Sequence, residues 1–187
     1  MIEQLIRLAL SNFTLTCLIL GLLASGISLL AHRQPRTRPR ITEALFAWFL
    51  FFSVGISFFY NFVMHTFFGE MTAAFIGWPQ SPFQAEVGFA SLGFALIGFL
   101  AFRGGRGLRL AAVVGPAAFL WGAAAGHVEQ MVSAHNFAPG NAGVIFYTDL
   151  LIPIIGFVLL GLTRTADHHP AARQPLSAPA ASPDRPS

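Results

Sequence analysis

Charge is scarce in this chain, lysine is absent, and one cysteine stands among 187 residues. Charged residues make up 10%, where a soluble domain carries about a quarter, while 55% are hydrophobic. With a mean hydropathy of +0.64, that shortfall excludes an ordinary soluble fold and fits a chain held mostly in a bilayer. The lone Cys17 excludes an internal disulfide framework, a CxxC redox pair and a cysteine-rich zinc site. It lies in Leu15-Thr16-Cys17 without the small residues of a lipoprotein cleavage box, and reads as a buried, inert thiol. The formal charge of +3 comes with no aromatic-basic face, so no nucleic-acid partner is expected.

Signature motifs are missing too. There is no HExxH, no paired ExxH, no GxSxG and no Walker or dinucleotide fingerprint. Gly104-Gly105-Arg106-Gly107 has no strand before it, which a phosphate-binding loop requires. No cofactor is indicated by a specific motif.

What the chain does have is long apolar runs. A hydrocarbon core of ~30 Å takes about 20 helical residues to cross. Five stretches are long enough, at about residues 5–30, 44–68, 82–102, 110–134 and 142–162. The expected fold is all-α, a transmembrane bundle of five helices over residues 1–164. Residues 165–187, rich in Pro, Ala, Ser and Arg, are expected to be a disordered cytoplasmic tail. His168-His169 in that tail reads as a solvated pair.

The first apolar run is too long for a signal-peptide core, and its positive charge follows rather than precedes it, so it reads as a retained span. Arg33, Arg36, Arg38 and Arg40 fall in the first loop, Arg103, Arg106 and Arg109 in the third, and Arg164, Arg173 and Arg185 in the tail. With five spans these segments share one side, leaving Arg7 alone on the other. The positive-inside rule then predicts an outside N-terminus and a cytoplasmic C-terminus in the inner (plasma) membrane. The expected partners are the lipid bilayer and a small polar ligand or ion, and the chain is compatible with a homo-oligomer.

Loop chemistry refines the boundaries. Ser81-Pro82-Phe83-Gln84 reads as a capping box opening the third span, which accounts for Gln84. Thr42-Glu43 is placed to cap the second span and Asn141 the fifth. The short apolar segment Met71–Trp78 is expected along the outer interface, with Trp78 at headgroup level. Tyr147 reads as a further interfacial anchor. Ala118, Gly122 and Gly126 recur at spacing four, which predicts close helix packing.

Against this background five polar residues lie at membrane depth toward the same face: Asn61, His65, Glu86, His127 and Asp149. Such groups are costly in lipid and face a partner, a cavity or a ligand. Ser53, Ser57, Asn61 and His65 form a polar stripe on one helix face. Asp149, about two turns into the fifth span, must be neutral or paired. Asn61 and Asp149 are expected as a deeper pair, with His65, Glu86 and His127 as a shallower shell. Glu129 points away from His127, and both Glu129 and His135 are close enough to water to be hydrated. His65, Glu86, His127 and Asp149 are also weak candidates for metal ligands.

Trp78-Pro79-Gln80-Ser81-Pro82-Phe83-Gln84-Ala85-Glu86, Gly126-His127 with Gln130-Met131, and Asn136-Phe137-Ala138-Pro139-Gly140-Asn141-Ala142-Gly143 form a further pattern. It resembles a domain-of-unknown-function family of small multi-span bacterial inner-membrane proteins, over residues 45–162. The resemblance implies a multi-span architecture and carries over no catalytic residue.

Three readings follow. The first is an outward pocket that binds or transports a small polar solute, ion or proton. The second is an accessory membrane protein whose polar groups are interhelical glue. The third is a membrane-embedded, metal-dependent enzyme.

Overall fold

The computed structural model describes residues 1–32 and 34–166, with side chains described as far as Thr163. Arg33 and the residues expected to form the tail beyond Ala166 lie outside the described residues. The described chain is helical, with no strand. Its helices are α1 (Ile2–Ser11), α2 (Phe13–Ala31), α3 (Arg38–Phe67), α4 (Gly69–Ile76), α5 (Phe83–Ala101), α6 (Arg106–Ser133) and α7 (Val144–Ala166). A single helical turn, Pro139–Ala142, precedes α7. Five helices, α2, α3, α5, α6 and α7, are long and apolar enough to cross a membrane.

The first apolar stretch divides where one span was expected. Asn12 leaves the helical region at φ −120° and ψ 40°, and its Nδ2 donates to the Leu8 carbonyl. α1 is thereby split off with no buried residue. Glu3, Arg7 and Ser11 recur at spacing four along it, opposite exposed Ile2, Leu5 and Ile6, so α1 is amphipathic.

α3 is the hub of the bundle and packs against all four other long helices. Phe46, Phe49, Leu50, Val54 and Phe58 from α3 meet Ala95 of α5, Val113 and Leu120 of α6, and Ile152 of α7 in one apolar core. Phe58 meets Phe94 and Phe119 edge-to-face and those two rings meet at a tilt, joining three helices at 5.3–5.8 Å between ring centroids. On α2 only Thr14, Cys17, Gly21 and Ser25 are buried, a stripe facing inward, and the thiol is enclosed as expected. Leu22, Leu23 and Ile27 on its other face are exposed, as a lipid-facing surface requires.

Within α3, residues Leu50–Ile56 widen into a π-helical segment, so that the Ser57 N–H reaches the Phe52 carbonyl. Gly55 sits in this segment against Gly98 of α5. A Cβ added at Gly98 would lie 2.6 Å from the Gly55 nitrogen, so the two backbones meet without side chains between them.

α3 begins at Arg38, six residues before the predicted start, with Pro39 in its first turn. Thr42 and Glu43 therefore lie inside the helix and do not cap it. Thr42 Oγ1 bonds back to the Arg38 and Pro39 carbonyls, and Glu43 takes two hydrogen bonds of 2.6 Å from Arg109 of α6. Arg109 also donates to the Ala101 and Phe102 carbonyls at the end of α5. It ties three helix ends together while Glu43 is half exposed. Glu43→Gln is therefore expected to cost about 1 kcal/mol or less, and Arg109→Ala about 2 kcal/mol, because freed carbonyls add to the lost pair. Thermal midpoints in detergent micelles check the order.

Candidate functional site

The helices leave a cavity of about 840 Å³ at the end opposite the described arginine loops. Its walls are largely aromatic and aliphatic, with Phe58, Phe75, Phe119 and Ile152 among them, and polar side chains face it at a few points. Asn61, His65, His127 and Asp149, all singled out from sequence, line this one space. The Ser53, Ser57, Asn61, His65 stripe of α3 forms one wall as a unit. Ser53 Oγ is buried there without a hydrogen-bond partner among the described residues.

Glu86 departs from expectation. It is exposed and does not line the cavity. At ~100° per residue it points roughly 200° away from Gln84 on the same helix, and Gln84 is the one turned inward. The His65 Nδ1 sits 2.5 Å from Gln84 Oε1. The expected capping box is not formed, because α5 starts with no side-chain cap and the Gln84 side chain is spent on His65.

The predicted pairing of Asn61 with Asp149 is replaced as well. Asn61 Nδ2 donates to Ser91 Oγ at 2.9 Å, and Asp149 faces His127 instead. Equal depth gave no information on which way each side chain turns about its helix.

His127 is 5% exposed and Asp149 4%, so this pair is enclosed by protein except where it meets the cavity. The His127 Nε2 lies 3.6 Å from Asp149 Oδ2, within ion-pair range. On the other edge of the ring, Nδ1 is 2.8 Å from Asn141 Oδ1. Asn141 is fully buried. It was expected to cap α7 but makes no cap, and it organises the site instead.

Its orientation is fixed by partners that have only one role. The Nδ2 group faces two carbonyls, that of Asn136 at 2.8 Å and that of His127 at 3.2 Å, which only accept. The Oδ1 receives the Trp78 indole N–H at 2.9 Å, which only donates. Asn141 Oδ1 is therefore an acceptor, and His127 Nδ1 must carry a proton. Neutral His127 then turns its Nε2 lone pair toward Asp149. A carboxylate facing that lone pair would be a buried, uncompensated anion. The arrangement is satisfied when the pair holds one proton on the Asp149 side of the ring, as imidazolium with carboxylate or as imidazole with carboxylic acid.

Trp78 is half buried and is part of the site rather than a free headgroup anchor. Its ring lies 5.6 Å from the His127 ring, and a Cβ added at Gly126 would sit 3.3 Å from it. The Asn136–Gly143 segment holds it in place. Asn136 Nδ2 caps the end of α4 by donating to the Ile76 and Gly77 carbonyls, and Gly77 takes the left-handed φ of 77° that ends this helix. Gly140 packs where a Cβ would stand 2.7 Å from the Phe75 carbonyl, so only glycine fits. The three sequence segments of the family pattern thus converge on His127.

The small-residue stripe of α6 also has another use. Ala118, Gly122 and Gly126 line the cavity, and a Cβ at Gly122 would touch nothing within 4 Å. It opens space rather than seating a neighbouring helix. The four weak metal candidates do not converge, and among the described residues no three His, Cys, Asp or Glu side chains form a metal-holding group. Glu129 is exposed, and His135 ends α6 in the left-handed region at φ 51°. Tyr147 is exposed.

A family model matches residues 11–169. The chain belongs to DUF6790, a family of unknown function. The match runs from the break before α2 to beyond α7, so the family takes in the first long helix, which the resemblance in sequence did not reach. No curated protein and no solved structure matches the chain.

Proposed function

We propose that this member of DUF6790 is a multi-pass inner-membrane protein that binds a small molecule from the outer side and exchanges a proton with it. The arginine-bearing end is placed in the cytoplasm by the positive-inside rule, which puts the cavity on the outer half. One observation carries the reading: a buried His127–Asp149 pair, 3.6 Å apart, stands in the wall of a largely apolar cavity of about 840 Å³. Apolar walls with a few placed polar groups are how small-molecule sites are built. They favour a ligand with an apolar body and one hydrogen-bonding or basic group over a fully polar solute. The Trp78 ring and Asn141 fix the imidazole, so the pair is preorganised to give or take the proton.

The reading of these residues as interhelical glue accounts for Asn61 with Ser91, but it leaves the cavity beside His127 and Asp149 without a role. Gly122→Leu separates the two. The new side chain grows into open space, so folding should persist while the cavity is occluded. Thermal shifts of the wild type in detergent, measured with a panel of aromatic amines, alcohols and acids, should show at least one stabilising class that Gly122→Leu no longer feels. A panel that shifts neither protein, or both equally, would overturn the binding reading.

A further inference from the structure

A second cavity, of about 720 Å³, lies at the arginine-bearing end, apart from the His127 site. It is bounded by the loop before α3, the first turns of α3, the α5–α6 turn and the end of α7. Arg40, Arg106 and Arg109 line it, against Glu43 as its one described carboxylate. Arg109 already occupies both oxygens of Glu43. Arg40 and Arg106 have no carboxylate left to pair with among the lining residues.

Arg40 Nη1 is buried and has no hydrogen-bond partner among the described residues. A guanidinium always carries its protons, so among the described residues this donor has no acceptor, a costly arrangement away from water. Topology alone does not require it, since a solvated arginine orients a span equally well. The same cavity receives the start of α6. Gly105 precedes that 28-residue helix and offers no side-chain cap, so the first-turn N–H groups are free. A Cβ at Gly105 or Gly107 would meet nothing, so the approach to them is open. Guanidinium donors from two helices and the N-terminus of α6 thus surround one space, the environment that holds an anion.

The geometry points to a binding site for a phosphate group here, held by Arg40 and Arg106 with the first-turn amides of α6. Phosphate presents acceptor oxygens in several directions at once, which suits donors arriving from separate elements. The group comes from an anionic lipid headgroup at this membrane face or from a free phosphate, which differ in whether acyl chains are attached.

The test uses the full chain in neutral detergent at fixed ionic strength. Thermal midpoints are titrated with phosphatidylglycerol, with diacylglycerol, and with inorganic phosphate. A saturable rise with phosphatidylglycerol alone assigns the lipid headgroup, and a rise with inorganic phosphate as well assigns the free anion. In either case Arg40→Gln should raise the half-saturating concentration about tenfold, whereas exposed Arg36→Gln should leave it unchanged. If Arg40→Gln does not fold, Arg106→Gln is read in the same way. No saturable shift, an equal response to diacylglycerol, or equal weakening by Arg36→Gln would overturn the site.

Discussion

His127→Ala is expected to destabilise the protein by about 3 kcal/mol, far more than Asp149→Asn, although the two residues face each other. Removing the imidazole leaves Asp149 enclosed with no other described donor and strips Asn141 Oδ1 of one of its two hydrogen bonds. Breaking one side of a buried pair typically costs about 3–5 kcal/mol, and access to the cavity places this case at the low end. Asparagine at 149 behaves differently, because its amide N–H can donate to the Nε2 lone pair and reproduce the neutral form of the pair. Its cost is expected to stay below about 1 kcal/mol. The double variant His127→Ala with Asp149→Ala should be milder than the sum of the two single alanine changes by about 2 kcal/mol, since no orphaned charge remains. Unfolding midpoints in detergent give all four values, and simple additivity would show that the two residues are not coupled.

Gly98→Ala is the second large effect. One methyl group placed there lies 2.6 Å from the Gly55 nitrogen, 3.0 Å from its Cα and 2.9 Å from a Val54 methyl. Two of those contacts are backbone, which no rotamer change relieves. α3 and α5 must move apart, which loosens Phe58 and Phe94 as well, and overpacking of this kind is expected to cost about 3 kcal/mol. Gly93→Ala on the same helix is the control. Nothing lies within 4 Å of its added Cβ, and the gain in helix propensity, up to about 1 kcal/mol, should leave it neutral or slightly stabilised. Equal losses at Gly93 and Gly98 would mean that the π segment of α3 is not held by this close approach.

The architecture was readable because hydrophobic length is a local property. Five apolar runs gave five long helices, and arginine placement marked which loops share an end. The same locality explains what was misjudged. Asn141 before an apolar run looks like a cap, and Trp78 beside a short apolar segment looks like an anchor. Their actual partnership joins residues 63 positions apart, a link that no periodicity reveals. A local capping motif is enough to account for Gln84, while charge makes Glu86 conspicuous. Helical phase alone could have shown that only one of the two faces α3. Spacing did correctly place Asn61 and His65 on one face with Ser53 and Ser57. The small-residue stripe of α6 was ambiguous in principle, since glycines that admit a neighbouring helix and glycines that leave a cavity have the same spacing.

The most direct test of the one-proton pair is the nitrogen NMR spectrum of histidine-labelled protein in lipid, with the His127 signals assigned by their loss in His127→Gln. The structure requires a proton on Nδ1 in every form, and in Asp149→Asn it predicts a neutral ring protonated at Nδ1 alone. A neutral His127 with its proton on Nε2 and a bare Nδ1 would contradict the account.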